Sequence, residues 1–281
     1  MSLLLRKLEY LRGQSRRALQ SRALCLESVP IVANSFPKSG THLLTQILEG
    51  QPGVKNYLTF LASLPSWKYV ERSEMATLRK IQGFVGGEMV SAHLFYRPEY
   101  AAALRKKAAI HFFIYRDPRD VACSEAHYLS RMARFHRLHG TFRRLADEKE
   151  QLSLSILGDA HRACPVPYGN IAQRFRMYQG WLTDPDVCAL RFEDLVGPEQ
   201  PAEVARICRF FLERQSKVEA TEGQLVEQAL KAINPERSHT YRPGGGVRNW
   251  EKRFTPQHKA QFKEVAGDLL IELGYESDLD W

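Results

Sequence analysis

The chain has 281 residues, 44% of them hydrophobic and 26% charged, with a formal net charge of +8 at neutral pH. That length and balance fit a large globular core and exclude a disordered, collagen-like or repeat architecture. The positive charge calls for an anionic partner, either nucleic acid, an anionic surface or a small molecule carrying several phosphates, and charge alone does not choose among them.

The opening stretch MSLLLRKLEYLRGQSRR breaks its short apolar run with charges at once, far below a signal-peptide core or a bilayer span. Residues 1–29 are therefore expected to be a helical extension and 30–281 one domain, in a cytoplasmic protein with no transmembrane segment. Cys25, Cys123, Cys164, Cys188 and Cys208 are odd in number and have no close pairs. Such spacing argues against a disulfide framework or a zinc site and for reduced thiols, most of them in the core.

In chain order, Ile31 to Phe36 is a mostly apolar run stopped by Pro37, which suits a buried strand. Leu43, Leu44, Ile47 and Leu48 then share one helical face, and Gly50 and Pro52 end that helix. The run Ile110 to Tyr115 repeats the pattern, followed by Arg116-Asp-Pro-Arg-Asp120 and a helix-compatible stretch from Val121 to Ser130. A third run, Val187 to Phe192, precedes helical spacing from Pro201 to Leu212. Strands alternating with helices predict an α/β fold with a central parallel β-sheet flanked by helices, whose ligands bind at the carboxyl ends of the strands.

Between the first strand and its helix stands Asn34-Ser-Phe-Pro-Lys-Ser-Gly-Thr-His-Leu43. The order Lys38, Ser39, Gly40, Thr41 is not that of the common nucleotide-triphosphate loop, in which glycines come first and the lysine and hydroxyl follow. The parts of an anion site are present all the same. The N–H groups of Ser39 to His42 are expected to lie without intrahelical partners at the positive end of the helix dipole, beside the Lys38 charge and two hydroxyls. Alone, the stretch reads more readily as an ordinary Ser or Thr helix cap. Arg116, Arg119 and Ser124 fall at or just past the end of another predicted strand, on the same sheet edge, although Arg116 and Arg119 also suit surface pairs with Asp117 and Asp120. Arg242-Pro-Gly-Gly-Gly-Val-Arg-Asn-Trp250 sets three glycines between cations and permits close backbone approach to an anion.

Together these segments resemble the sulfotransferases that use 3′-phosphoadenosine 5′-phosphosulfate (PAPS). Phe36-Pro-Lys-Ser-Gly-Thr41 resembles the family's 5′-phosphosulfate loop, Tyr115 to Ser124 its 3′-phosphate motif, Leu190-Arg-Phe-Glu-Asp-Leu195 a later strand, and Gly244 to Thr255 its C-terminal nucleotide loop. The likeness implies that Lys38, Ser39, Gly40, Thr41 and His42 hold the 5′ end, and that Arg116 and Ser124 hold the 3′-phosphate. It also implies that Arg242 and Gly244 close on the nucleotide and that Tyr168 contacts adenine. His93, in Ser91-Ala-His-Leu94, stands where the family carries its general base. PAPS is the implied donor, adenosine 3′,5′-bisphosphate (PAP) the product, and a small molecule with a hydroxyl or amine the acceptor. No metal and no nucleic acid are expected. The chain departs from the family in having Leu43 where a tryptophan commonly stacks on adenine, one extra residue between Arg242 and Trp250, and Glu251, Pro256 and Ala260 in place of a common dimerisation motif.

Two other readings of the residues stand beside this one. A small-molecule kinase shares the strand-loop-helix grammar but needs a Walker order and magnesium ligands that are not apparent. A nucleic-acid-binding protein would use Arg131, Arg134, Arg137, Arg143 and Arg144, a stretch that reads as a solvated face or an acceptor-side lid. His136 and His139 within it read as surface histidines.

Overall fold

The computed structural model describes residues 3–20, 28–159, 164–215, 218–237 and 246–281. The first half of the chain runs α1 (Leu3–Gln20), β1 (Ile31–Ser35), α2 (Thr41–Glu49), β2 (Lys55–Ala62), α3 (Glu74–Gln82), β3 (Glu88–His93), α4 (Pro98–Lys106) and β4 (Ile110–Tyr115). It continues through α5 (Pro118–His127), α6 (His139–Arg144), α7 (Glu148–Leu157), α8 (Ile171–Arg176), β5 (Val187–Arg191), α9 (Phe192–Val196), α10 (Gln200–Leu212), α11 (Glu222–Ala232) and α12 (Pro256–Glu272).

The chain divides into two compact units. The first comprises residues up to Ser63, Arg72–Tyr115 and Gly180–Ser238, and contains the sheet. Five strands pair in the order β2-β3-β1-β4-β5. Every pairing is parallel, with Ser35 of β1 opposite Ile114 of β4 and Asn34 opposite Ala92 of β3. The expected α/β fold with a parallel sheet is therefore the observed one. With β1 central, the carboxyl ends of β1, β3 and β4 are neighbours on one edge.

The reason these segments are strands is burial on both faces. All five residues of β1 and the first five of β4 are buried, as the unbroken apolar runs require for a covered parallel sheet. Leu44, Ile47 and Leu48 of α2 and Val204, Ile207, Cys208 and Phe211 of α10 present their helical faces to the same core. Edge strand β2 alternates less cleanly, and its register shifts between Asn56 and Thr59 around Leu58, which has φ of 60°.

The second unit comprises Leu64–Glu71, Arg116–Gln179 and His239–Trp281 and contains α5 to α8 and α12. Helix α5 starts on Asp117, which accepts the Arg119 N–H, with Pro118 in the first helical position. A single π turn, Tyr128–Met132, extends it. Its small core gathers Ala126, Leu129, Leu138, Phe142 and Tyr168.

Candidate active site

The predicted site residues divide between the two units. In the first, the chain leaves β1 at Ser35 and turns sharply: Lys38 has φ of 70° and Gly40 has φ of 98°. Two left-handed residues flanking Ser39 give the kind of turn in which backbone concavities for anions are built. Gly40 admits no other residue, since a Cβ there would lie 2.5 Å from the Phe192 ring.

Helix α2 then begins at Thr41 with Gly40 as its cap and no capping side chain. The ordinary Ser or Thr cap is thus not what the sequence builds here. One expectation is corrected: the Ser39 N–H does not point outward for a ligand but donates to Phe36 O at 3.2 Å, closing the turn. The Ser39 hydroxyl is the group left over. It is fully buried and has no hydrogen-bond partner, an arrangement that asks for a ligand oxygen.

His93 ends β3 beside this loop. Its Nδ1 lies 3.0 Å from Ser35 O and 3.0 Å from Ser35 Oγ. A carbonyl oxygen only accepts, so Nδ1 carries the ring proton and Nε2 presents a lone pair. Ser35 Oγ in turn sits 2.7 Å from Thr41 Oγ1, which ties the histidine to the first residue of α2. Burial, with added repulsion from Lys38 and His42, pushes the His93 pKa down to about 4. The imidazole is neutral at pH 7.

The backbone behind His93 is pinned as firmly as its ring. Asn34 accepts the Leu94 N–H at 2.8 Å and donates to Leu94 O at 3.1 Å. Trp181 Nε1 donates to the same carbonyl at 2.8 Å. Phe60 of β2 packs edge-on to the His93 ring, with centroids 5.1 Å apart, and is itself 46% exposed. Asn34, Ser35 and Phe60, which surround His93 and its backbone, were not singled out from the sequence. The available signal for the first two was a pair of polar residues closing an otherwise apolar strand.

In the second unit Arg116 and Asp120 form a buried pair at 3.1 Å, one helical turn apart. Arg116 also donates to Gly246 O at 3.1 Å, and Asp120 accepts the N–H groups of Arg248 and Trp250 at 3.0 and 2.9 Å. This carboxylate, weighed from the sequence only as an arginine partner, also fastens the C-terminal loop to α5. Arg119 is locked differently, between Asp117 and Glu276, with its guanidinium over Trp250 at 3.9 Å and Trp281 at 4.6 Å. The surface pairs weighed for these two arginines are in fact buried ones.

Ser124 is half-buried in the middle of α5. Tyr168 is a core residue whose hydroxyl donates to Glu125 at 2.9 Å, and Arg174 pairs with the same carboxylate while covering the Tyr168 ring at 4.4 Å. Glu125 follows Ser124 on α5, so Tyr168 and Arg174 fix that stretch of helix. Arg242 and Gly244 lie outside the described residues. His136 is not a surface residue: it is half-buried against Tyr69, with rings 5.2 Å apart, and burial pushes its pKa down to about 4. Arg131, Arg134, Arg137, Arg143 and Arg144 are exposed.

A five-stranded parallel sheet carries a turn with two left-handed residues after its central strand and a neutral, oriented histidine at the end of the adjacent strand, the layout of an α/β group-transfer enzyme. Residues 30–274 match the family model described as "Sulfotransferase domain", and the chain belongs to that family. Its fold is similar to that of mouse sulfotransferase SULT7A1 complexed with PAP, at a TM-score of 0.60 and 19% identity over 88% of this chain and 87% of the other. It is also similar to retinol dehydratase in complex with androsterone and the inactive cofactor PAP, at a TM-score of 0.57 and 16% identity over 88% and 82% of the two chains. No curated protein matches the sequence.

Proposed function

We propose that the protein transfers the sulfuryl group of PAPS to a hydroxyl or amine of a small-molecule acceptor. The observation that carries this reading is the Ser35 hydroxyl, which joins His93 Nδ1 to Thr41, the residue that follows the loop of Lys38, Ser39 and Gly40 and starts α2. The loop fits the donor's 5′ end: the buried, unpartnered Ser39 hydroxyl offers a donor beside the start of α2.

When bound, PAPS supplies an activated sulfuryl group whose departure leaves negative charge on the 5′-phosphate. Lys38 and the start of α2 supply the positive potential that such charge needs, already oriented before reaction. His93 Nε2 takes the acceptor proton as its oxygen or nitrogen forms the bond to sulfur. Lys38 provides the charge a metal would otherwise bring, and no metal is assigned a part.

Arg116 and Ser124, with Arg242 and Gly244, are assigned to the 3′-phosphate and the nucleotide loop, as the motif resemblance implies. Tyr168 serves by holding Glu125, and with it the helix of Ser124. The acceptor is read as having an apolar part, because half-exposed Phe60 flanks the base. Residues 1–29 are read as an extension of the domain that begins at residue 30. The cytoplasm is its proposed location, supported by four described cysteines that are all unpaired.

The test is an acceptor screen with PAPS, scored by mass for PAP and sulfated product, using intact enzyme and His93→Ala. PAP release coupled to a sulfated phenol, alcohol or amine, and lost in the variant, is the expected result. Phosphorylated product from ATP and magnesium, with none from PAPS, would sink the proposal in favour of a kinase.

A further inference from the structure

Helix α1 lies across edge strand β2 by a narrow contact. Gly13 is at the crossing, where a Cβ would come within 2.7 Å of Tyr57 O. Gln14 donates to that same carbonyl at 3.0 Å, and Arg17 reaches the buried Glu88 at 2.7 Å. Glu88 also accepts from Thr59 at 2.5 Å, so the anchor reaches the sheet itself. Three residues on one side of the helix therefore hold it.

The opposite side presents Leu8, Leu11 and Leu19, which are 44%, 52% and 71% exposed. Their spacing puts them on one helical face, with Leu8 and Leu11 turned away from Gly13 and Arg17 and Leu19 at the edge that borders the groove along β2. Exposed Arg12 and Arg16 flank that face. Among its described side chains, α1 sets Arg12, Arg16 and Arg17 against the single carboxylate of Glu9. A groove of about 690 Å³ opens between α1 and β2, where Arg12, Arg16 and Lys55 surround Leu19 and half-exposed Leu58, again with Glu9 as the single acid.

We propose that α1 and this groove form a docking surface for an anionic lipid membrane. The charge decides the occupant. An apolar stripe edged by arginines matches an interface of acyl chains beneath negatively charged head groups, whereas a second copy of the same face would set cation against cation. No described helix is long and apolar enough to cross a bilayer, so the attachment is peripheral. The inference does not rest on the transfer reading. Its consequence for that reading is that β2 carries Leu58 in the groove and, two residues on, Phe60 against His93.

The experiment is co-sedimentation of the full chain with two kinds of vesicle, phosphatidylcholine alone and phosphatidylcholine with phosphatidylglycerol. Binding to the second kind only, weakened by salt, is expected. The Leu8→Ser, Leu11→Ser, Leu19→Ser triple variant should lose it. The Arg12→Gln, Arg16→Gln double variant should bind roughly thirtyfold more weakly, at about a factor of five for each charge. All of these substitutions avoid the Gly13, Gln14 and Arg17 anchor, and unchanged binding of PAP would verify that the variants are folded. Three results would overturn the proposal: no binding to anionic vesicles, equal binding to both kinds, or undiminished binding by the triple variant. A dimer abolished by the triple variant, with no vesicle binding, would assign the face to a second copy instead.

Discussion

The loop after β1 and the segment after β4 both bring cations to the end of a buried parallel strand, yet they handle positive charge in opposite ways. After β1, the turn is held by backbone conformation, with left-handed Lys38 and Gly40, and a buried hydroxyl on Ser39 is left without a protein partner. After β4, carboxylates meet the cations at once: Asp120 pairs with Arg116, and Asp117 and Glu276 pair with Arg119. The first region thus keeps a buried hydrogen-bonding group unsatisfied. The second is already cross-linked, and its ion pairs tie α5 to the loop of Arg248 and Trp250. Two arginines of one motif, three residues apart, thus divide between a proposed ligand-facing role and a structural lock.

The sharpest way to test that division starts with the base. His93→Ala should lower turnover by about two to four powers of ten while PAP still binds, because only the proton acceptor is removed. Turnover close to that of the intact enzyme would take His93 out of its role. On the other side, Arg119→Ala should act on stability. Removing one partner from a buried ion pair typically costs about 3–5 kcal/mol, here with the loss of stacking on Trp250 and Trp281 added. Urea unfolding should register that loss, with PAP affinity kept where the variant is folded. A stable Arg119→Ala protein that fails to bind PAP would reverse the assignment.

A smaller effect is expected from Ser35→Ala, which removes the hydroxyl between His93 and Thr41 but leaves the Ser35 carbonyl on Nδ1. The loss of one such hydrogen bond is worth about 1 kcal/mol, or roughly a factor of five in kcat, with KM for PAPS less affected. An unchanged kcat would show that the carbonyl alone orients the ring.

Protons give a further test of the first region. His93 and His111 have their pKa values lowered from 6.5 to about 4 and about 3, chiefly by burial. Their folded forms bind fewer protons than the unfolded chain between those values. Stability is therefore complete above pH 6.5 and falls as pH drops toward 4 and below, by an amount on the order of a few kcal/mol for buried His111 alone. Stability that holds flat from pH 7 to pH 4 would contradict the buried neutral state. The smallest expected effect is that of a chelator: if Lys38 supplies the charge, EDTA should leave turnover unchanged.

Much of the fold was legible because β1, β4 and β5 are central or well-covered strands that read as unbroken apolar runs. Strand β2 was not, because an edge strand with a bulge at Leu58 keeps neither a continuous run nor a clean alternation. The Lys38 to His42 loop was readable from residue order, and the likeness to a known family pointed to His93. Asn34, Ser35 and Asp120 were hidden for a different reason. Each acts on a segment far along the chain, Leu94, His93 and Trp250 respectively, and no local pattern encodes such a partner. The resemblance singled out Arg116 over Arg119, but the local pattern of alternating Arg and Asp did not show that Arg119 packs against Glu276 and Trp281.

The most direct measurement is calorimetric titration of PAP into the intact protein and into Lys38→Ala, with ATP as the competing nucleotide. Tight binding of PAP, weak binding of ATP and a marked loss of PAP affinity in the variant are the predicted results. Absence of PAP binding, or affinity untouched by the loss of Lys38, would contradict the claim that the loop after β1 holds the donor.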